Sequence, residues 1–237
     1  MTNYTIISTP TRSKYLVSDS TDIITNEIRR LGSFEDHIVK EVISLLQNVK
    51  DPYILDVGAN IGTFSIPIAL AYKTCLIECY EIQQRMFYQL CSNILLNDLD
   101  NINAHWCGIS DETTTKFIDV LNYSTSGNYG AYTLDKRIRE INPQGNQYST
   151  IQKLTKIFKL DDLNISKPPS LIKIDVEGLE LAVLSGALNL ISAYKPILVL
   201  ECWEAYWFSQ QRNMLLSWLS DHNYVVVYKC GDNLIFK

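Results

Sequence analysis

Asp56-Val57-Gly58-Ala59-Asn60-Ile61-Gly62-Thr63-Phe64-Ser65 is the stretch that decides the fold. It continues a short apolar run, Tyr53 to Val57, of the kind buried in a parallel sheet. It then opens a segment with helical periodicity, Ile61 to Tyr72. Gly58 permits a sharp backbone turn where a Cβ would clash, and Gly62 lets the helix start close to the strand or to a ligand. Asp56 ends the strand, where its carboxylate can reach an ammonium group. The spacing is G-x-x-x-G: it is not the G-x-G-x-x-G of dinucleotide sites, and no Gly-Lys-Ser/Thr follows as in a phosphate-binding loop. A tight strand-to-helix turn without a ligand would use the same residues, so the rest of the chain must decide. Pro67, inside the helical segment, is expected to disturb it.

Working outward, strands are expected at Cys75 to Tyr80, Asn101 to Trp106, Leu171 to Val176 and Pro196 to Leu200. Helices are expected over Gln84 to Asn97, Leu179 to Ile191 and Arg212 to Leu219, the first with an apolar stripe of Met86, Phe87, Leu90, Cys91, Ile94 and Leu95. Gly231-Asp232 joins Tyr224 to Tyr228 and Asn233 to Phe236 into a terminal hairpin, which implies one antiparallel edge strand. Upstream, Ser33-Phe34-Glu35-Asp36 reads as a capping box, followed by one helical face of Phe34, Ile38, Val42, Leu45 and Leu46. Strands alternating with helices predict an α/β fold with a doubly wound, mostly parallel sheet. Residues 1–32 read as a lead-in layer and 33–237 as the main domain. The alternation breaks over about 111–160, a polar segment with Gly127, Gly130, Pro143 and Gly145, expected to lie as an insertion over the carboxyl edge of the sheet.

The other informative residues are carboxylates. Glu81 closes the second strand 25 residues after Asp56, where an acidic residue accepts hydrogen bonds from ribose hydroxyls and repels a phosphate. In Lys173-Ile174-Asp175-Val176-Glu177-Gly178, Lys173 and Asp175 share a strand face and can pair, and Glu177 opens the next helix. Glu201 ends the strand after that. Asp56, Glu81, Asp175 and Glu201 thus close four separate strands on one edge.

The whole chain of 237 residues is 46% hydrophobic and 20% charged, which fits a globular protein and excludes a disordered one. Its net charge of −5 disfavours binding nucleic acid through phosphate contacts. No apolar run approaches a membrane span and no secretory signal opens the chain, so a cytoplasmic protein is expected. The six cysteines form no C-x-x-C pair and read as reduced core thiols; His37, His105 and His222 lack metal-ligand spacing. No metal is indicated, although the carboxylates leave magnesium possible.

Asp-Val-Gly-Ala-Asn-Ile-Gly, Tyr80-Glu81, Lys-Ile-Asp-Val-Glu-Gly and Leu200-Glu201, in this order and spacing, resemble the FkbM-type family of S-adenosylmethionine-dependent methyltransferases. The likeness runs from about Gly32 to the terminal hairpin. It implies the seven-stranded Rossmann-like sheet of class I methyltransferases. It also implies that Asp56, Gly58, Ala59, Asn60 and Gly62 wrap the amino-acid end of the cofactor, with Glu81 on its ribose. The acceptor would be a hydroxyl on a sugar, a glycan or a small metabolite. Asp175, Glu177 and Lys173 are the candidates for catalysis. Tyr123, Asn128 and Glu201 are candidates for acceptor contact, with Trp203 and Trp207 as aromatic surfaces near the sheet edge. Ile82 stands where the family often has proline, which changes loop stiffness. The rival readings are a Rossmann-like nucleotide-binding oxidoreductase, a nucleic-acid methyltransferase and a catalytically silent binding module. The missing dinucleotide glycines, the negative charge and the intact cofactor motif respectively speak against them.

Overall fold

In the computed structural model, residues 4–18, 22–123, 127–143 and 148–237 are described. Ser124, Thr125, Ser126 and Gly145 of the expected insertion lie outside them. The chain begins with β1 (Tyr4–Ser8) and β2 (Lys14–Ser18), which pair antiparallel, followed by α1 (Ile23–Leu31) and α2 (Asp36–Leu46). Tyr15 and Val17 of β2 point into the core, and Asn93 and Asn97 bind the β2 backbone to the next layer.

Then come β3 (Tyr53–Val57), α3 (Ser65–Ala71), β4 (Leu76–Glu81), α4 (Gln84–Leu96) and β5 (Ile102–Trp106). Every residue of β3 is buried, as an apolar run covered on both faces should be. Helix α3 starts at Ser65, later than the periodicity implied. Pro67 is therefore its third residue, in the first turn, where a missing N–H costs no intrahelical bond and the helix is undisturbed. On α4 the buried face is Met86, Gln89, Leu90, Asn93 and Ile94, whereas Leu95 is 81% exposed and does not belong to it.

Residues 108–158 build a second small sheet: β6 (Gly108–Ile109), β7 (Thr114–Leu121) and β8 (Tyr148–Phe158), in the order β6-β8-β7, with α5 (Lys136–Ile141) between its two long strands. The main sheet resumes with β9 (Leu171–Ile174), α6 (Glu180–Ser185), α7 (Leu188–Tyr194), β10 (Ile197–Glu201), α8 (Ser209–Asp221), β11 (Val226–Cys230) and β12 (Asn233–Phe236). The helix expected over Leu179 to Ile191 is two helices. Gly186 stands at the break and packs against Ser110, where a Cβ would lie 2.0 Å from the carbonyl oxygen.

The seven strands run in the order β11-β12-β10-β9-β3-β4-β5, with β10, β9, β3, β4 and β5 parallel. The antiparallel strand is β12, and it is not at the edge as the hairpin alone implied: it slots between β10 and β11. Two apolar cores cover the two faces of the sheet. One lies under α2, α3 and α4, and the other under α6, α7 and α8. Among the described residues no helix is long and apolar enough to cross a membrane.

Candidate functional site

The turn after β3 is pressed against the end of β9. Gly58 has φ +81°, and a Cβ on it would lie 1.8 Å from the Asp175 carbonyl oxygen, so only glycine fits. The Gly58 and Ala59 amides donate to the Tyr80 carbonyl (3.0 and 3.1 Å), which binds the turn to the end of β4. Asn60 continues the turn at φ 51°, a left-handed conformation that asparagine tolerates. Gly62 serves packing: a Cβ would come within 2.8–2.9 Å of Ile66 and Leu90 side chains, so it lets α3 sit against α4.

Glu81 is held by this turn. Its Oε2 accepts from the Asn60 amide (2.8 Å) and its Oε1 from the Gln83 amide (2.7 Å). Burial nonetheless pushes its pKa up to about 7, with the two amides acting in the opposite direction. The carboxylate lines a crevice along the carboxyl edge of the sheet, together with Gly58, Asn60, Ile82, Cys107, Gly108, Ile109, Asp175 and Glu177 among others. Asn128, Gly130, Ala131 and Tyr132 cover it from above, on the connection leaving β7. The Ile82 carbonyl accepts from the Trp106 indole (3.0 Å), which fixes the loop where the family often has proline.

Asp56 lies elsewhere. It is fully buried below the turn, accepts from the Ser65 hydroxyl (2.6 Å) and pairs with the Lys173 ammonium at 3.5 Å. It does not line the crevice. Lys173 also donates to Asp175 (3.1 Å) and reaches the Gly58 carbonyl (3.4 Å). Burial works against the lysine's charge, but Asp175, Asp56 and Glu35 together hold its pKa up, so it stays protonated. Lys173 is thus a buried tie between the two strand ends.

Two of the catalytic candidates, Asp175 and Glu177, converge with the acceptor candidate Glu201. Asp175, Glu177 and Glu201 each offer an oxygen within 4.8 Å of the others. Glu177 sits at φ 57° and Gly178 at φ +96°, two consecutive left-handed residues that turn the chain sharply after β9. Burial and then the neighbouring carboxylates push both Glu177 and Glu201 well up in pKa. Oε2 of Glu201 is shut off from solvent, with no hydrogen-bond partner among the described residues. Three carboxylates this close cannot all ionise alone: they share protons or hold a cation.

Of the acceptor candidates, Asn128 and Glu201 line both the crevice and an acidic opening beside it that includes Trp203, Trp207 and Asp232. Trp203 also packs edge-on to Phe208 at 5.0 Å. Tyr123 belongs to a different cavity, on the far side of Gln83, where its hydroxyl donates to Gln83 Oε1 (2.7 Å) and its ring lies under the Arg85 guanidinium.

Two residues of the site were not legible as such. Glu180, the first residue of α6 and only 2% exposed, reaches back so that its Oε1 accepts from the Val176 and Gly178 amides (3.2 and 3.0 Å). It fixes the turn that presents Glu177, and burial raises its pKa to about 7. The acidic residue three positions after Glu177 was the one available signal. The other is Glu35. No capping box forms: Glu35 itself occupies the N-cap position of α2 at φ 50°, with no side-chain bond to the helix. Its Oε1 accepts instead from the Asn233 side chain (2.8 Å), and it lines the crevice.

A family model described as Methyltransferase FkbM domain matches residues 56–226. Methyltransferase 1 of Beauveria bassiana is 26% identical over 147 residues, covering 57% of this chain and 58% of that protein. Methyltransferase sdnD of Sordaria araneosa is 27% identical over 218 residues, 77% of each. The crystal structure of a methyltransferase FkbM from Methylobacillus flagellatus superposes with a TM-score of 0.52 at 21% identity, over 78% of this chain and 43% of that one. The chain therefore spans little more than half of the Beauveria relative and less than half of the solved one. The family model covers the glycine turn, Glu81, the Lys173–Gly178 segment and Glu201 together, and the chain belongs to the FkbM methyltransferase family.

Proposed function

We propose that this protein transfers a methyl group from S-adenosylmethionine to a hydroxyl of a sugar, a glycan or a small metabolite. The observation that carries this reading is the convergence of Glu81, the glycine turn and the Asp175–Glu177–Glu201 trio on one crevice. The residues present suit the donor. Gly58 lets the turn close onto the end of β9 at the crevice lining, Glu81 is already positioned by two amides to accept from ribose hydroxyls, and Ile82, Cys107, Gly108 and Ile109 offer an apolar bed for a base beyond it. When bound, S-adenosylmethionine supplies a methyl group activated by its sulfonium. The chain does the rest: it aligns the acceptor oxygen and takes its proton. A carboxylate with a raised pKa is a better base for an alcohol than an ordinary one, and Glu177 and Glu201 are both of that kind. Asp175, tied to Lys173 at 3.1 Å, orients them. The six unpaired cysteines suit a cytosolic setting for the reaction.

The test is a panel of glycans and small hydroxylated metabolites incubated with labelled donor, scored by mass spectrometry for a methylated product. Glu177→Gln and Glu201→Gln are expected to lower turnover about 10²–10⁴-fold where the residue is the base, with donor affinity retained. Unchanged turnover in both variants would remove the trio from the chemistry.

Glu81 gives a pH signature. Ribose hydroxyls donate to the ionised carboxylate, so binding demands that Glu81 lose its proton. With a pKa of about 7 in the free protein, affinity for S-adenosylhomocysteine should fall about tenfold between pH 8 and pH 6. Calorimetry across that range reads it directly, and Glu81→Gln should bind weakly with no such slope. The sign for folding is opposite. A carboxyl with a raised folded pKa holds its proton more tightly folded than unfolded, so Glu81 and Glu180 cost stability above about pH 7 and stop doing so as pH falls toward the ordinary glutamate range.

A further inference from the structure

Asp56 is the residue a sequence reader assigns to the ammonium of an amino-acid ligand, and it is unavailable. It is fully buried, engaged by Ser65 and Lys173, and absent from the crevice lining. The ammonium it reaches is the protein's own. Resting on the donor reading above, this leaves the amino-acid end of the donor without an assigned anionic partner.

The orientation of the donor follows from the sheet. Glu81 ends β4, and the apolar positions for a base, Cys107, Gly108 and Ile109, lie on the β5 side of it. The opposite arm must then run past Gly58 toward β9, whose end stands two strand spacings from β4, about 10 Å. Six residues line both the crevice on this side and its inward extension under the turn, Ile24, Phe34, Glu35, Gly58, Asn60 and Asp175, and the two carboxylates among them are Glu35 and Asp175. Asp175 is already paired with Lys173 at 3.1 Å. Glu35 is different. It is partly buried, its Oε1 is steadied by Asn233 across the molecule, and among the described residues no Lys or Arg forms an ion pair with it. At the entrance to α2 its backbone carbonyl accepts from the Ile38 and Val39 amides while its side chain makes no cap bond, which leaves the carboxylate free of the capping role its position would otherwise impose.

We propose that Glu35 is the carboxylate that receives the donor's α-ammonium, replacing Asp56 in that role, and that Asn233 is the residue that positions it. A carboxyl steadied by one amide hydrogen bond, whose charge is disfavoured by burial and by Asp175 nearby, gains from a ligand cation set against it. The lead-in to α2 and the terminal hairpin thereby take part in the cofactor site, although both are remote from the glycine turn in sequence.

The test separates the ammonium from everything else in the ligand. S-adenosylhomocysteine and its deaminated analogue, 5′-S-(3-carboxypropyl)-5′-thioadenosine, are titrated by calorimetry into the full chain. Glu35→Gln keeps an acceptor for Asn233 and loses only charge. It is expected to weaken S-adenosylhomocysteine about ten- to hundredfold, the scale of a hydrogen bond to a charged group, and to leave the deaminated analogue within about twofold. Asn233→Ala should weaken S-adenosylhomocysteine several-fold, again sparing the analogue, and it tests the same claim should Glu35→Gln fold poorly. Equal losses for both ligands would make Glu35 a shaping residue, and no loss for either would place the ammonium elsewhere; both results overturn the inference and leave the donor reading intact. Failure of the unaltered protein to bind either ligand would overturn the donor reading, and Glu35's role with it.

Discussion

Gly58→Ala is expected to abolish measurable binding of S-adenosylmethionine and S-adenosylhomocysteine and to destabilise the protein by about 2–5 kcal/mol. Two costs add. A left-handed φ of +81° is unfavourable for any residue with a Cβ, by about 1–2 kcal/mol. The larger difficulty is geometric: the new Cβ would sit 1.8 Å from the Asp175 carbonyl oxygen and 2.9 Å from its carbonyl carbon. These are backbone atoms of the neighbouring strand end, so no rotamer change can relieve the contact. The turn must lift away, breaking its amide bonds to Tyr80 and taking Asn60, which holds Glu81 Oε2, with it. Thermal melting and calorimetry on the same preparation check both halves. Gly62→Ala is the control: it carries the same left-handed cost at φ +91°, but its clashes are with the side-chain ends of Ile66 and Leu90, which can shift, so it should cost stability while donor binding survives. If Gly58→Ala bound S-adenosylhomocysteine normally, the turn would not be the floor of the cofactor site.

How much of this could be read without the structure follows from which interactions are local. The turn at Gly58 was legible because its requirement is a backbone angle, set by residues adjacent in sequence. Glu81 was legible because the end of a parallel strand fixes the edge on which a side chain lies. The fate of Asp56 was not, since the same strand-end reasoning places it on the correct edge but says nothing about depth; only the packing of Ser65 and Lys173 around it decides that. Gly186, at the break between α6 and α7, packs against Ser110, 76 positions away, and the capping box at Ser33 fails because Glu35 finds Asn233 at the other end of the chain. Pro67 is harmless because α3 starts at Ser65, four residues after the helical periodicity begins. In each case a long-range contact, or a boundary set by one, overrode a sound local preference.

Lys173→Met should show how much the site depends on its buried charge. Among the described residues, Lys173 is the one cation paired with both Asp56, which has no exposure at all, and Asp175. Removing it leaves the Asp56 carboxylate buried with only the Ser65 hydroxyl to stabilise it, a situation that typically costs about 3–5 kcal/mol. For a chain of this length that is a fall in melting temperature of about 10 °C. The cause can be separated from simple loss of packing, because methionine roughly preserves the volume. Burial already pushes the Asp56 pKa up, and without Lys173 it must rise further. The variant's deficit should therefore be full at neutral pH and shrink as pH falls through the raised folded pKa toward the ordinary aspartate range, where Asp56 becomes protonated in the folded state. Adding Asp56→Asn should restore much of the lost stability at neutral pH, since no buried charge is then left unpaired. A deficit that ignored both pH and the second substitution would mean that Lys173 contributes by filling space, and the ion pair joining the ends of β3 and β9 would not be what holds the crevice floor in place.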